Sequence, residues 1–130
     1  MKIAYTAGPM RPFTTPKGKH YQWSHNIHIG RRAHDRALRD GWYVISPHLM
    51  GQDDQHAALI PPDEYIRRDL EFIRMVRPDI ILLPRWGFSD GARQEYDLAV
   101  ELGLDIYYYQ HSTDSIQPWI RSNSKEIPND

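Results

Sequence analysis

The sequence of 130 residues contains no cysteine, which excludes disulfides, thiolate metal sites and cysteine nucleophiles. No apolar run approaches the roughly 20 residues that a transmembrane helix needs. The net charge of −1 gives no bulk attraction to nucleic acid polymers or to anionic membranes. The chain has neither a P-loop nor a Gly-x-Gly-x-x-Gly fingerprint, so we expect no dinucleotide cofactor. Residues 1–5 enter a strand-like pattern without the apolar region of a signal peptide, and we expect a cytoplasmic protein.

A chain of this length is long enough for one domain with a core and too short for two ordinary ones. Four segments have the apolar, β-branched or aromatic character of buried strands, and three helical patterns lie between them. The strands are Ile3–Thr6, Trp42–Ser46, Ile80–Leu83 and Leu104–Tyr109, and the helices are Asn26–Asp40, 63–77 and Gly91–Leu102. Strands that alternate with helices of this length are typical of βαβ units, and they predict an α/β fold with a parallel sheet.

Local signals mark where the predicted helices begin and end. Asp63, after two prolines, is a candidate N-cap of the second helix, and Ser89 is by default an N-cap of the third. Pro78 ends the second helix. Gly41 and Gly103 are typical of the position just after a helix.

The right-handed crossover rule predicts a three-layer, flavodoxin- or Rossmann-like fold whose sheet of four or five parallel strands has the order 2-1-3-4. Strands 1 and 3 are then neighbours whose connections leave in opposite directions, and ligands bind in the crevice at their carboxyl ends. Two loops open there, at residues 7–11 and 85–91. We expect Gly8, Pro9 and Gly91 in these loops to contact a bound ligand.

Two stretches look irregular. Residues 12–24 predict a long loop over the crevice, and such loops are more often functional lids than plain connectors. Residues 111–130 form a polar extension to a domain of residues 1–110, with one apolar patch at Ile116–Ile120 that we expect to dock on the domain or on a neighbouring subunit.

Glu95 lies one turn inside the third helix and therefore faces the crevice. Asp69 on the second helix and Tyr5 on the first strand approach the same place. A carboxylate nucleophile, a second carboxyl group for proton transfer and a phenol that orients them suit cleavage of a glycosidic bond, whose transition state resembles an oxocarbenium ion. A free Glu has a pKa of about 4.3, so we expect Glu95 to be ionised at pH 7, whereas Asp69 needs a raised pKa to act as an acid.

Each of these residues also has a structural interpretation. Taken alone, Glu95 and Asp69 are typical solvated charges on helices, Tyr5 is a typical core aromatic, and Arg11 is a typical loop residue. His48 follows the second strand, where it can contact a base, although loop histidines are more often at the surface. Other histidines (His20, His25, His28 and His34) lack a carboxylate at regular spacing, so we expect no metal site.

The ordered set of motifs resembles the nucleoside 2-deoxyribosyltransferase-like superfamily, which includes the 2′-deoxynucleoside 5′-phosphate N-hydrolases. The resemblance spans about residues 2–109 and is closest to an uncharacterised, often phage-borne branch. The motifs are Tyr5-Thr6-Ala7-Gly8-Pro9-Met10-Arg11, Asn26-Ile27 with Ala33, Ala37 and Gly41, Ser46-Pro47-His48, Arg68-Asp69-Leu70-Glu71, Asp79-Ile80-Ile81-Leu82-Leu83 and Ser89-x-Gly91-x3-Glu95-x3-Ala99-x3-Gly103.

The resemblance implies that Glu95 is the nucleophile that forms a covalent sugar–enzyme intermediate. It implies further that Asp69 helps to protonate the departing base and that Tyr5 positions Glu95. Arg11 and Ser89 match the residues that hold a 5′-phosphate in the phosphate-dependent members, although Asp90 next to Ser89 repels a phosphate unless it points away. Relatives commonly borrow a residue from a neighbouring subunit, so a homodimer or higher homo-oligomer is expected.

Two functions from different classes fit these residues. The first is an enzyme that cleaves the N-glycosidic bond of a (deoxy)nucleoside or nucleoside 5′-monophosphate, by hydrolysis or by base transfer. The alternative is a non-catalytic module that binds or senses a nucleotide in the same crevice. A protein that only uses this scaffold for interactions is a third and weaker hypothesis, since fold alone does not imply function.

Overall fold

The computed structural model describes residues 1–50 and 60–119, and its elements alternate as the sequence predicts. In chain order they are β1 (Lys2–Ala7), β2 (Phe13–Thr14), β3 (His20–Tyr21), α1 (Trp23–Arg39), β4 (Trp42–Ile45), α2 (Pro62–Val76), β5 (Asp79–Leu82), α3 (Asp90–Leu102), β6 (Ile106–Gln110) and β7 (Ser115–Pro118). Short 3₁₀ turns lie at Pro47–Leu49, Trp86–Phe88 and His111–Thr113.

The main sheet has the order β4-β1-β5-β6-β7. The four strands expected from the sequence are β1, β4, β5 and β6, and they pair in parallel. The complete order differs from the expected 2-1-3-4, because a fifth strand, β7, lies beside β6 at the edge of the sheet. An all-parallel sheet of five strands was wrong, since β7 runs antiparallel to β6. Only residues 111–114 join these two strands, and a parallel connection needs a crossover of about a dozen residues or more.

Helices cover both faces of this sheet and make it a three-layer structure. The side chains of β1 alternate between the two layers, as the two-residue period of a strand requires. Ala4 packs with α1 residues such as Ala33 and Ala37. Tyr5 packs with Ile73 of α2 and with residues of α3. The tyrosine ring is thereby directed into the layer that carries both candidate carboxylates.

The helix boundaries confirm some local signals and correct others. Ser89 caps α3, its Oγ accepting from the Ala92 amide, and Gly103 ends that helix with φ 70°. The N-cap of α2 is Pro61 rather than Asp63, two residues earlier, because a proline at the first helical position is already preorganised for the helix. The helix α1 begins at Trp23, three residues before the expected Asn26.

Residues 12–24 are more ordered than the expected irregular loop. They contain the antiparallel hairpin β2–β3 and the first two residues of α1. The rings of Phe13 and Tyr21 stack across the hairpin with centroids 5.3 Å apart, and Phe13 also stacks on Phe88 at 5.7 Å. Strands of two residues leave no periodic pattern in the sequence, so this hairpin depends on tertiary stacking.

Residues 111–119 of the C-terminal extension add to the same sheet. Trp119 follows β7 and lies against Trp86 and Tyr108, with centroid distances of 6.1 and 5.5 Å. The expected apolar patch therefore contacts the domain through its described part, while Ile120 lies outside the described residues. No helix in residues 1–50 and 60–119 is long and apolar enough to cross a membrane.

Candidate active site

A cavity of about 310 Å³ opens where β1 and β5 end and α3 begins. This is the crevice at which a sheet of this topology is expected to bind a ligand. The structure brings all nine residues predicted for the site together around it. They are Tyr5, Gly8, Pro9, Arg11, His48, Asp69, Ser89, Gly91 and Glu95.

Glu95 points from α3 toward the sheet, and its side chain is only 7% exposed. One carboxylate oxygen, Oε2, accepts a hydrogen bond from the Tyr5 hydroxyl. Burial raises the pKa of Glu95 to about 8, the Tyr5 hydrogen bond opposes that rise, and the charge of Asp69 adds to it. Burial thus opposes the ionisation of Glu95 that is expected at pH 7, because desolvation outweighs the single hydrogen bond.

Tyr5 lies between the two candidate carboxyl groups and is 1% exposed. Its pKa is raised well above the usual value, first by burial, then by the charges of Glu95 and Asp69, and then by the hydrogen bonds to them. The phenol thus stays protonated and donates. Phe72 of α2 packs beside its ring at a centroid distance of 6.2 Å, which fixes the direction of the hydroxyl.

Asp69 reaches the cavity from α2 and is half-buried. Its charge acts on both Glu95 and Tyr5, which places the three polar groups in one electrostatic unit. When two carboxyl groups interact in this way, protons leave the pair rather than either residue alone. A raised pKa for Asp69 itself stays a prediction.

The loop after β1 is held from behind by two buried polar side chains. His48 Nε2 donates to the Pro9 carbonyl at 2.8 Å, and Asn26 Nδ2 donates to the carbonyls of Met10 and Arg11 at 3.2 and 3.0 Å. Burial lowers the pKa of His48 to about 4, so its ring is neutral and has one N–H to donate. His48 lines the cavity, but its Nε2 supports the loop instead of being free for a base.

Gly8 is required by close packing at the start of that loop. A Cβ added to Gly8 would lie 2.5 Å from the Cβ of Leu83, on the neighbouring strand connection. Any side chain at this position would push the loop away from the end of β5. The glycine thus keeps the two loops of the crevice close together.

The amino end of α3 forms another wall of the cavity. Ser89 Oγ accepts from the Ala92 amide at 3.2 Å, which leaves its hydroxyl proton free to donate to a ligand. Asp90 is at the rim, and its side chain is 81% exposed and pairs with Arg93. The carboxylate that was expected to repel a phosphate is thus largely exposed to solvent and paired with a cation, while the backbone amides of a helix start favour an anion.

The sequence did not identify the apolar part of the site. Phe13 on the hairpin, Phe88 after β5 and Tyr65 on α2 line the cavity. Flat rings of this kind suit a planar base. The sequence does place an aromatic residue in each loop beside the crevice. It contains no local pattern that shows the stacking of Phe13 on Phe88.

No group of three or more His, Cys, Asp or Glu side chains that could hold a metal ion is found in the described part of the chain. Among the polar groups at the cavity, the phenol of Tyr5 and the carboxyl groups of Asp69 and Glu95 come from three separate elements. Their arrangement fits attack on carbon together with proton transfer.

Comparison with known proteins gives one family. A profile described as a domain of unknown function, DUF4406, matches residues 2–108. The match runs from β1 into β6 and includes every residue of the cavity. No curated protein and no solved structure matches the chain.

Proposed function

The chain belongs to the DUF4406 family, a domain of unknown function, and we propose that it cleaves the N-glycosidic bond of a nucleoside or nucleoside 5′-monophosphate. The observation that carries the proposal is the contact of Tyr5 with Glu95 beside Asp69, at the inner end of a cavity with aromatic walls. A nucleophile, an acid and a positioning group are the parts that such a cleavage requires.

In the first step, a carboxylate oxygen of Glu95 attacks C1′ of the sugar. The C1′–N bond breaks as the C1′–O bond forms, and the base leaves with a proton from Asp69. Tyr5 keeps its hydroxyl on the other carboxylate oxygen of Glu95 and holds the nucleophile in line. The developing positive charge on the sugar is stabilised by the adjacent anion.

In the second step, Asp69 takes a proton from water, and the water oxygen attacks C1′. The ester bond to Glu95 breaks, so the carboxylate is regenerated and the sugar leaves with a hydroxyl group. When a second base occupies the cavity instead of water, Asp69 takes the proton from its ring nitrogen. That nitrogen attacks C1′ as the ester bond to Glu95 breaks, and the reaction is a base transfer. Access of water to the ester intermediate decides between the two outcomes.

The mechanism requires one particular protonation state of the Glu95–Asp69 pair. A proton on Glu95 blocks attack, whereas a proton on Asp69 is needed for departure of the base. The productive form therefore holds one proton on the carboxyl pair, placed on Asp69. Binding of an electron-poor sugar centre next to Glu95 favours this form, because it stabilises the Glu95 anion.

For a nucleotide, Arg11 and the amino end of α3 supply a place for the 5′-phosphate. Arg11 lines the cavity on the loop that Asn26 and His48 hold, and Ser89 lies across from it at the helix start. A guanidinium, a hydroxyl and backbone amides together match the three oxygens of a phosphate. We propose that Arg11→Ala weakens binding of a 5′-monophosphate more than binding of the matching nucleoside.

One observation favours the alternative of a nucleotide-binding or sensing module. With a pKa of about 8, Glu95 is largely protonated at neutral pH in the free protein, and a neutral carboxyl group donates a hydrogen bond instead of attacking carbon. In that function the aromatic walls and Arg11 would still bind a nucleotide. The base would stay attached to the sugar.

The test is a panel of ribo- and 2′-deoxyribonucleosides and their 5′-monophosphates, with free base measured by chromatography. Release by the natural chain, and its loss in Glu95→Gln, are expected, with Asp97→Asn as the matched control on the exposed face of α3. Undiminished release by Glu95→Gln would remove Glu95 from the chemistry. Binding of a nucleotide without any release of base would favour the sensing module.

A further inference from the structure

A second polar region surrounds Tyr21 of the hairpin, whose ring stacks on Phe13 at the wall of the cavity. The ring of Tyr21 is 6% exposed and is surrounded by cationic and imidazole groups. The Arg85 guanidinium carbon is 4.2 Å from the ring centroid, Lys19 Nζ is 5.4 Å from it, and the His25 ring is 5.2 Å from it. None of these four residues lines the candidate active site.

Arg85 is held in place by the chain on both sides. Its backbone is in the left-handed region with φ 63°, between the buried residues Pro84 and Trp86. A non-glycine residue rarely adopts this conformation unless the surroundings impose it. The fold thus sets the backbone of Arg85, and its guanidinium lies against Tyr21 and His25.

The polar contacts of Arg85 leave it without a counter-charge. Its Nη2 lies 3.2 Å from His25 Nε2, which accepts because a guanidinium only donates. The Nε atom is buried and has no hydrogen-bond partner. No carboxylate in residues 1–50 or 60–119 forms an ion pair with Arg85, although a half-buried guanidinium is normally paired.

Three further groups, His28, Arg32 and His111, lie close enough to this point to act on its electrostatics. The pKa of His25 is lowered first by burial, then by Arg85, His111 and His28, and finally by Lys19. The pKa of His111 is lowered by burial and then by Arg32, His28 and Arg85, while Asp114 opposes the change. We call Lys19, His25, His28, Arg32, Arg85 and His111 the Tyr21 cluster.

One carboxylate that acts on the Tyr21 cluster, Asp114, is already engaged. Asp114 accepts from the Tyr109 hydroxyl at 2.7 Å and lies 3.8 Å from both Arg32 and Arg36. The first turn of α1, which carries His25, has no acidic residue, and Gln22 makes no side-chain cap. The positive end of the α1 dipole thus adds to the cluster without a compensating side chain.

We propose that the Tyr21 cluster is a second ligand site, separate from the cavity, that binds a phosphate monoester or a pyrophosphate. A guanidinium, an ammonium and neighbouring imidazoles on three elements offer more donors than one carboxylate can accept. A phosphate has a charge of about −1.5 to −2 at neutral pH and three acceptor oxygens, which match this set. The bound anion supplies the counter-charge that Arg85 lacks within the described chain.

The site is tested by histidine side-chain NMR of the full chain, titrated with sodium pyrophosphate near pH 6.5. The resonances of His25, His28 and His111 are expected to shift in a saturable way. Arg85→Gly removes the guanidinium and tolerates the positive φ, and it is expected to weaken binding on the order of tenfold or more. Shifts that are absent, or that persist unweakened in Arg85→Gly, would overturn the site.

Two controls separate this site from the cavity. Arg11→Ala is expected to leave the pyrophosphate shifts of the three histidines in place, and so is Glu95→Gln, whatever their effect on base release. Loss of the shifts in Arg11→Ala would assign the anion to the cavity and refute a second site. If Arg85→Gly does not fold, a double variant His28→Ala, His111→Ala, whose side chains are exposed, removes two imidazole donors and should weaken binding several-fold, as read on the remaining His25 resonance.

The source of the phosphate is read from separate arms of the titration. Inorganic pyrophosphate alone reports the bare anion, and a nucleoside 5′-triphosphate reports a nucleotide that carries the same group. If pyrophosphate and the nucleoside triphosphate bind with equal affinity, the site is assigned to the free anion. If the nucleotide binds more tightly and Arg85→Gly abolishes this binding, the site is assigned to a nucleotide phosphate.

Discussion

At the scale of single residues, Glu95 shows how burial and hydrogen bonding compete at the same carboxyl group. Burial favours its neutral form, Asp69 favours it further, and the Tyr5 hydroxyl favours the anion. Glu95 is only 7% exposed, and desolvation is the largest of these effects. Ionisation of Glu95 in the free protein is therefore unfavourable. A bound substrate that stabilises the anion would offset this unfavourable free energy.

The first prediction concerns stability. Glu95 has a pKa of about 8 in the folded chain and an ordinary value of 4.5 when unfolded, so the folded state binds more protons between these values. Stability of the natural chain should fall as pH rises from about 5 to 8. Glu95→Gln removes that slope and should be more stable at pH 8 by on the order of 3 kcal/mol. Urea unfolding at pH 5 and 8 measures the difference.

The exposed Asp97→Asn on the same helix provides the comparison for that prediction, because it removes a charge without removing a buried carboxyl group. Its unfolding curve should follow that of the natural chain at both pH values. If Glu95→Gln and the natural chain lose stability in parallel from pH 5 to 8, Glu95 ionises normally and the electrostatic account of the cavity is wrong.

The second prediction concerns the phenol. Removing the Tyr5 hydroxyl by Tyr5→Phe takes away the contact that favours ionised Glu95, so the pKa of Glu95 should rise further. The rising limb of kcat/KM against pH should then move upward by about one to two pH units, the equivalent of one hydrogen bond to a charged group. The measurement is base release over the range pH 6 to 10. A loss of rate with an unmoved limb would mean that Tyr5 acts on the substrate and not on Glu95.

The placement of these residues could be predicted, but their protonation could not. Tyr5 near the end of a strand and Glu95 one turn inside a helix follow from local patterns, because carboxyl ends of parallel strands meet at one edge of the sheet. The charge state of Glu95 depends on how completely α2 and α3 enclose it. That enclosure is a property of packing between distant segments and has no local signal.

At the scale of elements, the loop after β1 acts as a rigid support for Arg11. The side chain of Asn26 is buried and bonds two successive carbonyls of that loop, while His48 bonds a third. Both supports come from outside the loop, one from α1 and one from the turn after β4. The position of Arg11 is therefore set by the packing of α1 against the sheet.

The third prediction tests this support. Asn26→Ala leaves the carbonyls of Met10 and Arg11 without their buried donor and should lower stability by roughly 1–3 kcal/mol. It should also weaken binding of a 5′-monophosphate more than binding of the nucleoside, because Arg11 is displaced. Calorimetric titration of both ligands measures the split, with the exposed Ser24→Ala as the control in the same helix. Equal losses for the two ligands would show that the loop does not position a phosphate group.

Elements with strong local signals were predicted, and those that depend on tertiary contacts were not. The capped start of α3 at Ser89 is an example of the first kind. The hairpin β2–β3 is of the second kind, since it is stabilised by the stack of Phe13 between Tyr21 and Phe88. Its two-residue strands are too short to show the alternation by which strands are recognised.

At the scale of the whole molecule, the sheet continues past the boundary that the sequence suggested at residue 110. The strand β7 pairs with β6, Trp119 donates its backbone amide to Ile106, and its ring covers Trp86 and Tyr108. The polar composition of residues 111–119 hid this role, because an edge strand that is half exposed needs few apolar residues. The extension is thus part of the structure that supports the loop after β5.

The fourth prediction follows from this continuity. A chain that ends at Gln110 loses β7, so the backbone hydrogen-bonding groups of β6 form an open sheet edge and Trp86 is uncovered. A chain that ends at Trp119 keeps the β6–β7 pairing and both contacts of Trp119. The shorter chain should be less stable by several kcal/mol and should self-associate, since an unpaired apolar edge strand invites pairing with another chain. Thermal unfolding and size-exclusion chromatography of the two chains measure these effects. Equal melting temperatures and elution volumes would mean that residues 111–119 only rest on a domain that is complete at Gln110. If the shorter chain loses nucleotide binding and the longer chain keeps it, β7 supports the cavity through Trp86. The loop that carries Phe88 and Ser89 begins at this residue.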